Sequence, residues 1–186
     1  MKPLCVLGIV DNEKGKEIAR EMLSWLCEYY EVECVYHDGS KFEQPALRRM
    51  QELCIEKKRP CLYLHTKGAY NRSALSSNVR EMWKHEFTFN QALYFALVSK
   101  PYSAVACPFA GSDKTTWYNG FVANWQAMAE IPPIMPSENR KKYERLFRGS
   151  KVQVFGTIRN DLHRNPETCG HIDEKAMEAW NLIRKK

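Results

Sequence analysis

Hydrophobic and polar positions follow two patterns along the chain, one typical of buried strands and the other of amphipathic helices. Residues 4–10 form a continuous apolar run, as a strand buried on both faces does. From Ile18 the apolar positions recur at helical spacing, which predicts a helix over residues 14–30. By the same criteria, further strands are predicted at residues 33–37, 61–65 and 103–107.

The segments between these strands are predicted to be helices. Pro45 suits the first turn of a helix that Pro60 ends. A longer helix is predicted to begin at a cap of Ser76 or Ser77 and to end before Pro101. Its buried face is traced by Val79, Trp83, Phe87, Tyr94 and Leu97. Because strands and helices alternate, the pattern predicts an α/β fold, a three-layer domain with a mostly parallel sheet.

The last third of the chain has a weaker pattern. Residues 117–125 are aromatic and fit either a strand or a loop. Ser137 can cap a short helix that runs to Phe147, and residues 151–158 alternate as an edge strand with one wet face does. A helix is predicted over residues 174–184. A chain of 186 residues has the size of one ordinary domain, so residues 1–186 are expected to form a single domain.

Charge bears on the partners that the chain can have. The formal net charge is +6, and the basic residues are spread over several clusters. A solvated surface explains such a charge. The alternative is attraction to an anionic partner, which would be a nucleotide, a phosphorylated substrate or nucleic acid.

The cysteines indicate a reducing compartment. Their number is seven, which is odd, and no Cys-x-x-Cys pair occurs. Four of them lie in apolar, strand-like runs, namely Cys5, Cys34, Cys61 and Cys107. We therefore expect core thiols and no disulfide. The first apolar run is short and has no cleavage site, and no run reaches the roughly 18 residues of a membrane span. A cytoplasmic protein is expected.

Polar residues follow the ends of three predicted strands, where open parallel sheets bind their ligands. They are Asp11 and Asn12 after the first strand, Asp38 after the second, and His65, Thr66, Lys67 and Gly68 after the third. The third set is the most informative. Lys67 is a point charge suited to phosphate, and Gly68 lets the backbone approach a ligand closely. The alternative is that His65 only closes the strand, Lys67 is solvated and Gly68 makes a turn.

Residues 62–68, Leu-Tyr-Leu-His-Thr-Lys-Gly, resemble the Tyr-x-His-[Ser/Thr]-Lys-Gly segment of a bacterial and phage family of glycosyltransferase-like proteins. Two more features of that family fall in the same order, a Glu before the preceding helix (Glu43) and a Trp downstream (Trp83). The resemblance implies a GT-A-like, Rossmann-like fold. It also implies transfer of a sugar from a nucleotide-sugar donor to a hydroxyl acceptor.

The aromatic segment at residues 117–125 departs from the family pattern. Where the family has Gly-Asn-Phe-Trp-Trp, this chain has Asn119 before Gly120 and a displaced second Trp. Trp117, Asn119 and Asn124 would suit a sugar or base platform, because flat rings stack on sugars and amides bond hydroxyls. The alternative is that the aromatic side chains belong to the core.

The chain contains no Asp-x-Asp, the motif with which metal-dependent GT-A enzymes hold a divalent cation. Two accounts fit this sequence. Lys67 and other basic groups would neutralise the leaving diphosphate without a metal, or Asp38 and His65 would bind a divalent metal between them. The first account is preferred, because two ligands of unknown separation make a poor metal site.

Sugar transfer needs a group that stabilises the leaving diphosphate, and Lys67 with His65 beside it is the candidate. A base for the acceptor hydroxyl is also needed, and Asp113, Glu81 and Glu144 are the candidates among which the sequence does not choose. Two alternatives stay open. One is a non-catalytic module that binds a nucleotide or phosphate, and the other is a sugar transferase that acts on nucleic acid.

Overall fold

A computed structural model of the chain describes residues 1–70, 74–111, 113–116, 119–137 and 141–158. Within these ranges the elements, in chain order, are β1 (Leu4–Val10), α1 (Glu13–Tyr29), β2 (Glu31–His37), α2 (Gln44–Lys57), β3 (Cys61–His65), α3 (Ala74–Phe89), α4 (Gln91–Val98), β4 (Ala104–Cys107), β5 (Phe121–Ala123), α5 (Trp125–Glu130), α6 (Lys141–Glu144) and β6 (Gln153–Gly156).

The described strands form one six-stranded sheet in the order β2-β1-β3-β5-β4-β6. All neighbouring pairs are parallel except those of β5, which is antiparallel to both β3 and β4. The predicted α/β class with a mostly parallel sheet is therefore confirmed. β3 lies inside the sheet between β1 and β5, which agrees with the apolar character of its sequence on both faces.

Helices cover both faces of this sheet and make three layers. Side chains of α1, α3 and α4 pack on one face, against strand residues such as Leu62 and Leu64. Side chains of α2 and α5 pack on the other face, against Cys61 and Tyr63. Successive residues of β3 thus point to opposite layers, as the pleat of a strand requires.

The connections around β1 create a switch in chain direction. The β1–α1–β2 connection runs over one face, and the β2–α2–β3 connection returns over the other face to the opposite side of β1. The connections that leave the neighbouring strands β1 and β2 therefore diverge to opposite faces, whereas α1 and α3, which follow β1 and β3, share one face. In open α/β sheets such a point is where a crevice for ligands forms.

The prediction of one long helix that ends before Pro101 is wrong, because the structure has two helices, α3 and α4, which meet at Asn90. The buried carboxylate of Glu86 accepts hydrogen bonds from Asn90 Nδ2 at 3.1 Å and from the Tyr94 hydroxyl at 3.3 Å. These bonds fix the junction without the Gly or Pro that a sequence pattern would reveal. The start was also misplaced, since α3 begins at Ala74, before the predicted caps Ser76 and Ser77.

The last third also differs in detail from its prediction. The aromatic segment contains the short strand β5 followed by α5, and the predicted helix to Phe147 is reduced in the described residues to α6 followed by turns. The predicted edge strand exists as β6, which pairs in parallel with β4. The helix predicted over residues 174–184 lies outside the described residues. None of the helices in the described ranges is long and apolar enough to cross a membrane.

Cysteine burial leads to a first prediction. Six cysteines are described and all are free thiols, while Cys169 lies outside the described residues. Burial raises the pKa of the Cys5, Cys61 and Cys107 thiols, and it raises that of Cys54 to about 12.

We therefore expect iodoacetamide to alkylate Cys27, which is exposed, while these four thiols stay unmodified in the native protein. Peptide mapping by mass spectrometry before and after denaturation measures this. Rapid native alkylation of Cys61 would contradict the internal position of β3.

Candidate functional site

The ends of β1, β2 and β3 lie side by side at one edge of the sheet. The backbone N–H of Asp11 donates to the carbonyl of His37 at 2.7 Å, and that of Thr66 donates to the carbonyl of Gly8 at 2.9 Å. The Thr66 hydroxyl accepts a hydrogen bond from the Val10 N–H at 3.1 Å. The structure therefore brings the polar residues predicted after three separate strands to one edge, and it gives Thr66 a cross-link between two strand ends.

The first turn of α1 packs directly on the end of β1. Asn12 is the N-cap residue, and its side-chain oxygen accepts from the Gly15 N–H at 2.6 Å. A Cβ on Gly15 would lie 2.0 Å from the Val10 carbonyl oxygen, so only glycine permits this contact. Asp11 pairs with Lys16 at 2.9 Å, which raises the pKa of the Lys16 ammonium. Asn12, which was predicted as a ligand residue, thus caps α1, and the positive end of the helix dipole lies at the crevice.

The turn after β3 is held from α3. Gly68 has a φ of 96°, a conformation that favours glycine. The guanidinium of Arg80, whose side chain is only 12% exposed, donates to the Lys67 carbonyl at 2.7 Å and approaches Glu21 at 3.4 Å. Lys67 itself is half-buried. Arg80 therefore fixes the backbone of the turn that presents Lys67, and it adds a second cation there.

The loop after β2 is tied to the same turn. The Tyr70 hydroxyl donates to the Asp38 carbonyl at 2.7 Å, and the Tyr70 ring lies over Gly39, where a Cβ would collide with it. The Asp38 carboxylate accepts from the hydroxyl and the N–H of Ser40, and these bonds lower the pKa of Asp38. Asp38 is exposed at the crevice edge, and Tyr70 is 68% exposed beside it.

A second group of polar side chains lies buried under the end of β3. His65 Nε2 lies 3.6 Å from Glu43 Oε1, and the two residues are 7% and 8% exposed. Glu43 directly precedes α2, so that helix places the carboxylate over the strand end. Ionic groups are rarely buried to this extent unless they are paired, which makes the Glu43–His65 contact a specific feature of this fold.

Trp83 of α3 reaches the same point from the other layer. Its indole ring meets the His65 ring edge-on, with centroids 5.2 Å apart. A Cβ on Gly120 would lie 2.4 Å from Trp83 Nε1, so the missing side chain at that position gives the indole its place. Glu43, His65 and Trp83 are the features on which the family resemblance rests, and the structure brings them into one cluster.

Three buried polar groups in this region have no hydrogen-bond partner among the residues that the structure describes. They are the Tyr63 hydroxyl, Trp83 Nε1, and both amide atoms of Asn119. Tyr63 and Trp83 are fully buried, and Asn119 is 2% exposed with a φ of 56°. Burial and the Glu43 carboxylate raise the pKa of the Tyr63 hydroxyl well above its usual range. We call Glu43, Tyr63, His65, Trp83 and Asn119 the polar centre.

Asn119 belongs to this end of the sheet by register. Tyr63 pairs with Phe121 in the antiparallel ladder of β3 and β5, so the chain enters β5 at the carboxyl end of β3, and Asn119 lies two residues before that pair. Asn119 also directly precedes Gly120, the residue against which the Trp83 indole packs. The polar centre therefore lies where β3 and β5 meet, directly below the Lys67 turn.

Asn124, also predicted as a ligand residue, lies at the other end of β3 from Lys67. Ala123 pairs with Cys61, the first residue of β3, so Asn124 is a strand length away from Lys67. Its side chain caps α5 and bonds to backbone groups of Val98, Lys100, Tyr102, Ala104 and Ala127. Both polar atoms of the Asn124 side chain therefore bond to backbone groups of the protein itself.

The three base candidates occupy two places. Asp113 accepts from the Thr115 hydroxyl at 2.5 Å and pairs with Arg145 at 3.7 Å. The Glu144 carbonyl accepts from the Thr116 N–H, so the loop that carries Asp113 packs on α6, which ends at Glu144. Glu81 instead lines a groove of about 420 Å³ between α1 and α3, away from the strand ends. Trp117 lies outside the described residues.

The part of the chain that the structure describes contains no set of side chains that would hold the divalent metal of the alternative account. No group of three or more His, Cys, Asp or Glu side chains converges there. His65 lies beside Glu43, and Asp38 bonds to Ser40 instead. The residues present at the strand ends thus suit an anion near Lys67 and Arg80 better than a cation.

Beside the Lys67 turn, Arg80 and Tyr70 had no place in the predicted ligand set. Arg80 lies within a predicted helix, and nothing in its spacing marks it as a neighbour of Lys67. Tyr70 follows the motif closely, and an exposed aromatic residue directly after a glycine turn was the available signal.

In comparisons with known proteins, no family model, no curated protein and no solved structure matches this chain.

Proposed function

We propose that the chain binds a nucleotide sugar across the carboxyl ends of β1 and β3 and transfers the sugar to a hydroxyl acceptor. The observation that carries the proposal is the convergence of Glu43, His65 and Trp83 beneath the Lys67 turn. These residues are far apart in sequence, and they are the features that resemble the glycosyltransferase-like family. Their contacts through His65 at the carboxyl end of β3 support a shared binding task.

In this proposal the diphosphate lies at the turn after β3. Lys67 supplies a positive charge, and the partly buried Arg80 holds the Lys67 carbonyl in place. The N-terminus of α1, capped by Asn12, points its dipole to the same crevice. Fixed positive groups of this kind stabilise the charge that develops on a leaving diphosphate.

The nucleoside end of the donor would lie over β1 and β2. Asp11 and Asp38 offer carboxylates for ribose hydroxyls there, as acidic residues do in other open α/β sheets. Tyr70 presents an exposed ring next to them for stacking with a base. Asp113 and Glu144 stay the base candidates on the acceptor side, since Glu81 lines a separate groove.

The experiment that tests the proposal is a thermal-shift screen against nucleoside diphosphates and nucleoside diphosphate sugars. A ligand that binds only the folded chain must raise its melting temperature. We expect at least one nucleotide sugar to do so, and the best one to be hydrolysed slowly or transferred when acceptors are added. A flat response to every nucleotide would refute the proposal.

Lys67→Met should weaken binding of the best nucleotide sugar by about 1–3 kcal/mol, the contribution of a charge-assisted hydrogen bond. Its effect on the free energy of unfolding should stay below about 1 kcal/mol, because a half-buried lysine contributes little. Isothermal titration calorimetry and urea unfolding measure the two quantities.

Lys57→Met is the matched control, because it removes the same charge at the end of α2, where the ammonium pairs with Glu56. It should leave the affinity unchanged. Equal affinities of the Lys67 variant and the parent, or loss of binding on addition of a chelator, would show that the metal-free account is wrong. In that case the Asp38–His65 metal site becomes the working account.

A second function, nucleotide binding without catalysis, is favoured by one observation. The Asp113 carboxylate already bonds to Thr115 and pairs with Arg145, so it is not poised as a base. Measuring donor hydrolysis separates the two functions, since a transferase commonly passes some sugar to water. Tight binding with no turnover of any donor would favour the binding module.

A further inference from the structure

The polar centre carries an unusual set of side chains for the interior of a protein. The Tyr63 hydroxyl, the Trp83 indole N–H and the Asn119 amide are buried at one end of the sheet, and no hydrogen-bond partner for them lies in the described part of the chain. Buried polar groups in native proteins are almost always hydrogen-bonded, so three exceptions in one place need a reason. A ligand that supplies the missing partners is such a reason.

The chemistry of the set identifies the kind of ligand. The indole only donates, the carboxylate of Glu43 accepts, and the phenol and the amide do both. Hydroxyl groups, which donate and accept from one atom, match this mixture. The carboxylate disfavours an anion, whereas the rings of Trp83 and Tyr63 suit the apolar C–H faces of a carbohydrate.

The position of the polar centre fits the sugar end of a nucleotide sugar. The strand order places β1 and β2 on one side of β3, and β5 on the other. If the diphosphate lies at Lys67 on β3, the nucleoside lies over β1 and β2, and the sugar points to β5 and the polar centre.

We propose that the polar centre is a sugar subsite, in which Glu43, Trp83 and Asn119 bond the hydroxyls of the donor's sugar ring. The inference rests on the proposed function, since it assigns the other half of the same donor. The side chains are less than a tenth exposed, so the residues that cover them must move when the sugar binds.

The test follows the indole N–H of Trp83 by NMR in ¹⁵N-labelled protein, with the signal assigned through the Trp83→Phe variant. Probes are UDP, UDP-glucose, UDP-N-acetylglucosamine, GDP, GDP-mannose and the corresponding free sugars at high concentration. We expect a nucleotide sugar, and its free sugar more weakly, to shift this signal downfield as a hydrogen bond forms. The matching nucleoside diphosphate should bind without shifting it.

Asn119→Gly supplies the second measurement, because glycine adopts the positive φ of this position and removes only the amide. It should weaken binding of the nucleotide sugar about tenfold and leave the affinity for the nucleoside diphosphate unchanged. Circular dichroism and thermal unfolding verify that the variant is folded.

The outcomes separate this inference from the proposed function. Nucleotide sugars that bind without moving the Trp83 signal would overturn the sugar subsite while leaving the nucleotide site in place. Equal losses of both ligands in Asn119→Gly would overturn it as well. If no nucleotide binds at all, the proposed function fails, and the free sugars alone decide whether the polar centre binds carbohydrate.

Discussion

Asn124→Ala is expected to lower the free energy of unfolding by about 3–5 kcal/mol, one of the two largest effects of a single substitution in this chain. The Asn124 amide is 2% exposed and bonds the backbone at five points, from Val98 to Ala127. Alanine would leave these buried donors and acceptors unsatisfied and would remove the N-cap of α5. Urea unfolding followed by circular dichroism measures the loss.

Asn119→Gly is the matched control for this prediction. It changes the same residue type at the same 2% exposure, but the amide of Asn119 has no protein partner. Because glycine also relieves the positive φ at this position, its free energy of unfolding should stay within about 1 kcal/mol of the parent. A loss at Asn119 as large as that at Asn124 would show that the two amides do not differ as their hydrogen bonds indicate.

Gly15→Ala is expected to destabilise the fold by more than about 3 kcal/mol, although alanine is the better helix former by about 1 kcal/mol. The new Cβ would lie 2.0 Å from the Val10 carbonyl oxygen, which is backbone and cannot turn aside. The first turn of α1 must therefore leave the end of β1, and nucleotide binding should weaken with it. Thermal unfolding and the thermal-shift response to nucleotides measure the two effects.

Gly149→Ala tests whether this loss comes from the collision and not from glycine replacement as such. Gly149 has a φ of 76°, and a Cβ there would meet nothing within 4 Å. Only the strain of the left-handed conformation remains, about 1 kcal/mol. If Gly15→Ala were as mild as Gly149→Ala, α1 would not pack on β1 as the structure has it.

The first half of the fold could be predicted because its strands are buried on both faces and its helices are amphipathic. β1 and β3 are continuous apolar runs, and their boundaries were found correctly. β5 could not be predicted in the same way. It has three residues, and nothing in Phe-Val-Ala indicates that the strand runs antiparallel between β3 and β4.

How much of the candidate site follows from the sequence depends on the residue types. Strand ends at one side of the sheet follow from parallel pairing, so the neighbourhood of Asp11, Asp38 and Lys67 was accessible from sequence. The helix-capping roles of Asn12 and Asn124, both predicted as ligand residues, were not, because the same amide oxygen serves either purpose. Which polar atoms are left without partners depends on tertiary packing, so the polar centre could not be read from the sequence.

The antiparallel insertion of β5 also bears on the order in which the chain can assemble. β1, β2 and β3 join through short crossovers, whereas β3 and β4 are linked only after residues 121–123 enter between them. A strand of three residues offers few ladder hydrogen bonds, so its pairing depends on both neighbouring strands being in place. Because Gly120 directly precedes β5 and supports Trp83, the polar centre is completed only by that pairing, while the Lys67 turn belongs to the part that is already linked.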